Sequence, residues 1–402
     1  MALSEQQIAA KRKNLHSIFR TIRKNGPIER RQIQTLTQLS WGTVSQYTTA
    51  LLNTGILKQT LSEAKAVGKT PLMLDINDSD NFIIGIDFNI HFIRIMMMDL
   101  KGNSIESSIT PIVDASRMTD LLLEAVRTLL DKYPGKTFLA ISISVQGSVD
   151  PEKGIAKYLS FEPTWRDLPL KDILYETFKL PVYTFHDPDC ILYASKYYEH
   201  FFDSNVKNAI LLNISLSIGM SFMTDYHRIY HSTCSHSGEL GHTCVVPDGD
   251  LCSCGKQGCL EAYSSTTGIV NRFISGVNEG EKTILTKESA FTVTYDTIRF
   301  GAQNGDAFCL RLFQEAGTYL GRAIANVATL LEPDLIILYG EFANAKELFD
   351  ESMQKAYSES VYNCNQSNIV YSTLGGTAPI LGAAMYAQEL IIEDFLYSAI
   401  EG

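Results

Sequence analysis

Gly238-Glu239-Leu240-Gly241-His242, followed closely by Cys252-Ser253-Cys254-Gly255-Lys256-Gln257-Gly258-Cys259-Leu260-Glu261, is the stretch from which the rest of the chain is best read. One imidazole and three thiols fall within a single loop. Glycines among them let the backbone turn around an ion. This is a ligand set for tetrahedral zinc, with His242, Cys252, Cys254 and Cys259 as the metal residues. Four protein ligands leave no coordination place for water, so a structural Zn2+ is expected. Glu239 and Glu261 flank the loop and are free for another task. The alternative is a chance group of buried or disulfide-bonded cysteines, against which the Cys-x-Cys-Gly-x-x-Gly-Cys spacing speaks.

Working outward, 402 residues suit two to three domains, and 45% hydrophobic residues can fill substantial cores. Met1-Ala2-Leu3-Ser4-Glu5-Gln6 leads into a polar, basic helix and does not read as a secretory leader. No apolar run reaches membrane-spanning length, so a cytoplasmic protein with no membrane partner is expected. The eight cysteines then point to metal and free thiols, not to a disulfide framework. Cys190, Cys234, Cys244, Cys309 and Cys364 have no spacing partners and read as ordinary core residues.

Charge is unevenly placed. Residues 1–75 hold eleven Lys/Arg against four Asp/Glu, a net +7, whereas the remainder carries −18 of the overall −11. A basic head on an acidic body suggests that the head meets a polyanion. In that head Leu15, Ile18, Phe19 and Ile22 share one helical face. Asn25-Gly26-Pro27 stops the first helix; a short second helix follows with Ile33 and Leu36 inward. Ser40 is a good N-cap for a third helix running from Trp41 to Leu52, which Asn53-Thr54-Gly55 ends. Ile56–Thr60 and Leu72–Asp75 read as a β-hairpin. Three helices and a two-stranded wing make a winged helix-turn-helix, whose third helix enters the major groove of double-stranded DNA. Thr43, Ser45, Gln46 and Thr48 are then candidates for base edges, and Arg30, Arg31, Lys58, Lys65 and Lys69 for phosphates. The other reading is a helical protein-interaction module with a solvated basic face, and the third helix carries no Arg or Lys of its own.

After Asn77-Asp78-Ser79-Asp80 the pattern changes to strands at Phe82–Asp87 and Phe92–Asp99, a turn at Lys101-Gly102 into a third strand, a helix over 117–133, and a strand Thr137–Val145. A similar order recurs from Ala209–Ser215 and Met220–Thr224 to Leu335–Tyr339. Two α/β lobes with mixed sheets and a cleft between them are predicted. The expected division is 1–77 for the head, 78–190 for the first lobe and 191–402 for the second lobe with the metal loop.

At this point the residues resemble a known family. The metal loop, Gly147-Ser148-Val149-Asp150-Pro151, Trp165-Arg166-Asp167-Leu168-Pro169-Leu170 and Gly376 through Leu381-Gly382-Ala383-Ala384 are similar to the ROK family of repressors and sugar kinases, over nearly the whole chain. The winged head is similar to the repressor branch, that of the xylose and N-acetylglucosamine repressors. The resemblance implies an actin-like, hexokinase-type (ribonuclease H-like) body. It implies the zinc ligands named above, and sugar hydroxyls held by Glu239, His242 and Glu261. The imidazole would give one nitrogen to the metal and the other to the sugar. It also places Asp187 at the kinases' general-base position, with His186 where they carry Asn; from the residues alone, a solvated turn is the commoner reading of an Asp after a strand.

The nucleotide elements depart from the family. Asp-x-Gly-Gly-Thr reads Asp87-Phe88-Asn89-Ile90-His91, the second phosphate loop reads Ser215-Leu216-Ser217-Ile218-Gly219-Met220-Ser221, and a Gly-Gly pair reads Gly340-Glu341. Lost glycines remove close backbone approach to a triphosphate, which phosphoryl transfer needs. Phe161 stands where an Asn is usual, and Gln146 replaces a Pro before Gly147. The expectation is a non-enzymatic, sequence-specific repressor of carbohydrate metabolism. It would respond to a sugar or sugar phosphate and bind operator DNA as a homodimer or homotetramer. The alternatives are an active sugar kinase with an appended head, and a regulator controlled by a protein partner such as a phosphotransferase-system component.

Overall fold

The computed structural model describes residues 5–61, 72–158, 165–202, 206–225, 228–232, 237–285, 293–362 and 367–401. Lys65, Lys69, Phe161, Glu162, Cys234 and Cys364 lie outside the described residues. The chain opens with α1 (Glu5–Asn25), β1 (Ile28–Glu29), α2 (Arg30–Thr37), α3 (Trp41–Asn53), β2 (Leu57–Leu61) and β3 (Leu72–Ile76). Leu15, Ile18, Phe19 and Ile22 are all buried on one side of α1, as their helical spacing requires. Ser40 caps α3 by accepting the Thr43 N–H at 3.1 Å. Two details differ from expectation. The hairpin gains a third strand, β1, on the far side of β3; two residues are too few to show a period of two. Leu36 is 58% exposed, because α2 is only eight residues long and reaches the core through Ile33 alone.

The body begins with β4 (Asn81–Phe88), β5 (Phe92–Asp99), β6 (Ser104–Pro111), α4 (Met118–Lys132) and β7 (Thr137–Val145). A small sheet follows, of β8 (Ser148–Asp150), β9 (Ile155–Tyr158) and β10 (Arg166–Leu168), then α5 (Leu170–Phe178), β11 (Val182–His186) and α6 (Asp187–Tyr198). The second half holds β12 (Ala209–Ile214), β13 (Ile218–Thr224), β14 (Arg228–Ile229), α7 (Glu261–Ser264), α8 (Thr266–Asn278), β15 (Leu335–Tyr339) and β16 (Asn368–Tyr371). The first large sheet has the order β11-β7-β4-β5-β6 and the second the order β16-β15-β12-β13-β14. In both, the opening strand is antiparallel to the next and parallel to the strand that returns after helical crossover. The recurrence read from the strand pattern is therefore a repeat of topology.

Alternation along β4 decides what covers the first sheet. Phe82, Ile84, Ile86 and Phe88 share a core with Leu122 and Val126 of α4 and Leu170 and Leu174 of α5. Ile83 points the other way, into a core with Ala383, Ala384 and Ala387 of the C-terminal helix Ala378–Glu401. At Gly85 a side-chain carbon would come within 3.0 Å of Ile380, so this helix lies directly on the strand. The end of the chain thus returns to the first sheet, and a boundary at residue 190 separates the sheets but not this helix. The same core runs on into Leu15, Ile18 and Phe19 of α1, so head and body share one apolar cluster.

Candidate functional site

The cysteine loop hangs between β14 and α7. Gly238 (φ +87°) and Gly258 (φ +75°) permit its closure: a side-chain carbon would stand 2.1 Å from Met220 O at the first and 1.8 Å from Val246 O at the second. The loop folds back on itself through Val245 N–H to Gly258 O (2.8 Å) and Leu260 N–H to Thr243 O (2.9 Å). This gathers one ligand atom each from His242, Cys252, Cys254 and Cys259, all within 4.8 Å of one another. His242 Nδ1 lies 3.6 Å from Cys252 Sγ, and Cys254 Sγ lies 3.7 Å from Cys259 Sγ. A tetrahedron with metal–sulfur bonds of about 2.3 Å has edges of about 3.8 Å, so this donor set has the dimensions of a closed four-ligand site. Burial pushes the Cys259 thiol up to about 12, with the neighbouring thiols adding to the effect. A divalent cation among them reverses that balance by stabilising thiolate.

His242 turns its other nitrogen, Nε2, toward Glu239, 3.9 Å from Oε2. Glu261 is engaged by both the loop and the sheet. It is buried and accepts hydrogen bonds from Ser253 Oγ (2.9 Å) and from the Ile218 N–H at the start of β13 (3.2 Å). Its lone pairs tie the cysteine loop to the sheet, and it borders a small recess of about 210 Å³ beside α8.

A larger cavity of about 450 Å³ opens between the lobes, lined by Ser148, His186, Asp189, Ser221, His231 and Glu239 among others. Of the five residues expected at an effector site, His186 and Glu239 line it; Asp187, His242 and Glu261 do not. Sequence reasoning missed Asp189, Ser221 and His231. Buried Asp189 accepts from Ser221 Oγ at 2.6 Å, and its second oxygen lies 3.8 Å from His231 Nδ1. Only the run His231-Ser232-Thr233-Cys234-Ser235-His236-Ser237, rich in small polar groups and imidazoles, could have pointed here.

Asp187, 3.5 Å from His186 Nε2, sits behind this lining and acts electrostatically on Asp87. Its Oδ2 accepts from Asn213 Nδ2 at 3.1 Å, and burial raises its carboxyl against the pull of His186 and Asn213. Burial pushes the Asp87 carboxyl up to about 7, opposed by Arg94 and reinforced by Asp187. At the end of β4, Phe88 is buried with its ring 4.7 Å from that of Trp165. Asn89 Oδ1 folds inward to accept the N–H groups of His91 (2.9 Å) and Phe92 (3.1 Å). Arg94 spans the gap, 3.9 Å from Asp87 Oδ2 and donating to Gly376 O.

On the head, Gln46 is exposed and Thr43 and Ser45 are half-buried. Thr48 is withdrawn from any base contact: it is fully buried, donates to Val44 O at 2.7 Å and accepts from Arg30 Nε at 2.8 Å. Position 48 falls on the same side of α3 as Val44 and Leu51, which bury it. Lys58 is also engaged, its ammonium paired with Asp78, which a second lysine, Lys101, holds at 2.8 Å. Arg31 is exposed, and Trp41 (48% exposed) and Thr49 join the outer face of α3.

Residues 83–390 match the model of the ROK family. The chain is 28% identical to the xylose repressor of Bacillus spizizenii over 97% of both chains. It is 26% identical to the DNA-binding transcriptional dual regulator NagC of Escherichia coli strain K12, over 89% of this chain and 88% of that one. Among solved structures, a ROK family transcriptional regulator described as a homolog of the E. coli MLC protein superposes with a TM-score of 0.82. It is 24% identical and covers 98% of this chain and 100% of its own. A ROK family glucokinase from Streptomyces griseus, in complex with glucose and AMPPNP, superposes with a TM-score of 0.64 at 23% identity. It covers 75% of this chain and 98% of its own. The body therefore has the α/β fold of a ROK sugar kinase.

Proposed function

The chain belongs to the ROK family, and from that premise we propose that it is a zinc-stabilised, DNA-binding repressor of carbohydrate metabolism that senses an unphosphorylated sugar. The observation that carries the reading is the combination of a basic three-helix head with a body that keeps the metal loop and the interlobe cavity but fills its phosphate side. Relatives named as repressors align with head and body together.

In this reading residues 1–77 form a winged helix-turn-helix. Thr43, Ser45 and Gln46 reach base edges, and Arg30, Arg31 and Lys69 meet phosphates. Residues 78–190 with the C-terminal helix make the first lobe, and 191–377 the second. His242 through Nδ1, Cys252, Cys254 and Cys259 hold Zn2+, which when bound fixes the loop that carries Glu239. Two copies set their heads on a two-fold symmetric operator.

The cavity argues for the class of effector. Asp189, Glu239 and the hydroxyls of Ser148 and Ser221 suit neutral hydroxyl groups, which both donate and accept. No Lys or Arg is among its described lining, and segments 226–227 and 233–236, which adjoin lining residues in sequence, contain none. A phosphate ester would meet Asp189 and Glu239 with no Lys or Arg of the described lining to offset them, which favours a plain sugar over a sugar phosphate.

Helix α6 offers the route from cavity to head. Its first turn carries Asp189; its last holds Lys196 and Tyr197 beside Glu389 of the C-terminal helix. Glu389 also grips Arg20 of α1 at 2.6 Å, and Arg23 lies 4.2 Å from the Tyr197 ring centre. A sugar that pulls on Asp189 thus acts on a helix that ends against the head. The test is selection of duplexes from genomic fragments by the purified chain, alongside ATP turnover with common hexoses. Enrichment of one two-fold symmetric sequence with no ADP formed is expected; hexose-dependent ADP release and no enrichment would replace this reading with a kinase.

A further inference from the structure

Cys244 reads in sequence as a core residue, but it is exposed and lies directly across from a member of the metal cluster. Cys244 and Cys259 are antiparallel partners. The hydrogen bonds flanking them, Val245 N–H to Gly258 O and Leu260 N–H to Thr243 O, make theirs the narrow, non-hydrogen-bonded kind of pair. Cα atoms of such a pair stand about 4.5 Å apart, and the two side chains leave the same side of the ribbon. That separation falls at the short end of the disulfide range of about 4.4–6.8 Å. The Cys244 sulfur lies over the facing strand, 3.3 Å from where a side-chain carbon would stand at Gly258.

We infer that Cys244 is a redox site: a peroxide joins it to Cys259 and so removes one ligand from the metal centre. The Cys244 thiolate attacks one oxygen of hydrogen peroxide, giving a sulfenic acid and hydroxide. The Cys259 thiolate then attacks that sulfur; the S–S bond forms, the S–O bond breaks and a second hydroxide leaves. The two cysteines lose two electrons and the peroxide gains them. Thiol reductants reverse the step. The bridge itself does not depend on a bound metal, whereas its consequence, release of Zn2+ from three remaining ligands and loosening of the loop that bears Glu239, rests on the zinc reading above.

The test treats the full-length, zinc-loaded protein with hydrogen peroxide. Zinc release is followed with a chromogenic chelator, and disulfides are mapped by mass spectrometry of a non-reduced digest. A 244–259 cross-link rising together with free zinc is expected. Cys244→Ser, and independently Cys244→Ala, should abolish it and slow zinc release several-fold, with melting of the reduced protein unchanged. A bridge within Cys252, Cys254 and Cys259 in place of the 244–259 link, or wild-type release from both variants, would overturn the inference. Protein that holds no zinc as purified would remove the metal reading, and the 244–259 peptide would still decide this one.

Discussion

Asp87 is a carboxyl buried against a second one, Asp187, with Arg94 as its cationic neighbour. Its pKa in the folded chain, about 7, lies above the ordinary 3.8. Its contribution to stability is therefore full below the ordinary carboxylate range and is lost as pH rises through about 7. Denaturant unfolding between about pH 4 and about pH 8 should show wild type losing on the order of 4 kcal/mol relative to Asp87→Asn. A parallel pH course for the two proteins would remove Asp87 as the cause. At the metal loop, Cys254→Ser should melt on the order of 5–10 °C lower and stop responding to chelator, whereas chelator should lower the melting of wild type toward that value. The four loop residues were legible in the sequence because their ligands are close along the chain and their spacing is itself the signal. Asp189, Ser221 and His231 come from α6, β13 and the segment after β14, and no local pattern links them. Thr48 and Glu261 spend hydrogen bonds inward, and in sequence such a polar side chain looks the same as one held out to a ligand.

Among the elements, the C-terminal helix has the widest reach. It covers β4 and β7 and packs against α6. It also presents Glu389 and Glu393 to α1, where Arg12 lies 3.0 Å and His16 2.6 Å from Glu393. Burial alone would raise the Glu389 carboxyl; Lys196, Arg20 and His16 together hold it well below the ordinary range. Removing one member of such a buried cluster leaves the others unpaired, at a cost of about 3–5 kcal/mol. Glu389→Gln should therefore detach the head before it harms the body. Hydrogen exchange should speed up in α1 while amides of β12 and β15 keep their protection; equal loss in both would mean that Glu389 supports the whole fold. The repeated sheets were visible from strand spacing, since each strand carries its own apolar run. The return of the last helix to the first sheet was not, because its apolar residues mark out no single face that would say what it packs against.

At the scale of the molecule, a head carrying +7 and a body carrying −18 are joined through one shared apolar core. Charge asymmetry of this kind makes affinity for a duplex fall steeply with salt, and Arg31→Ala should flatten that slope by about one unit. The joint matters as much as the charges. A head on a free linker could bind DNA but could not learn what occupies the cavity, whereas α6 and the C-terminal helix connect the two. Binding energies then follow linkage: a sugar that favours one lobe angle weakens or strengthens the DNA by the same factor that DNA changes the affinity for sugar. The most direct measurement is fluorescence anisotropy of the selected duplex against the purified protein, with and without a panel of neutral sugars and their phosphate esters. One unphosphorylated sugar is expected to weaken DNA binding by about 5–150-fold and its phosphate ester to leave it unchanged, while His231→Ala removes the response and binds DNA as wild type does. Affinity unmoved by every sugar, or moved only by a phosphorylated one, would contradict this expectation.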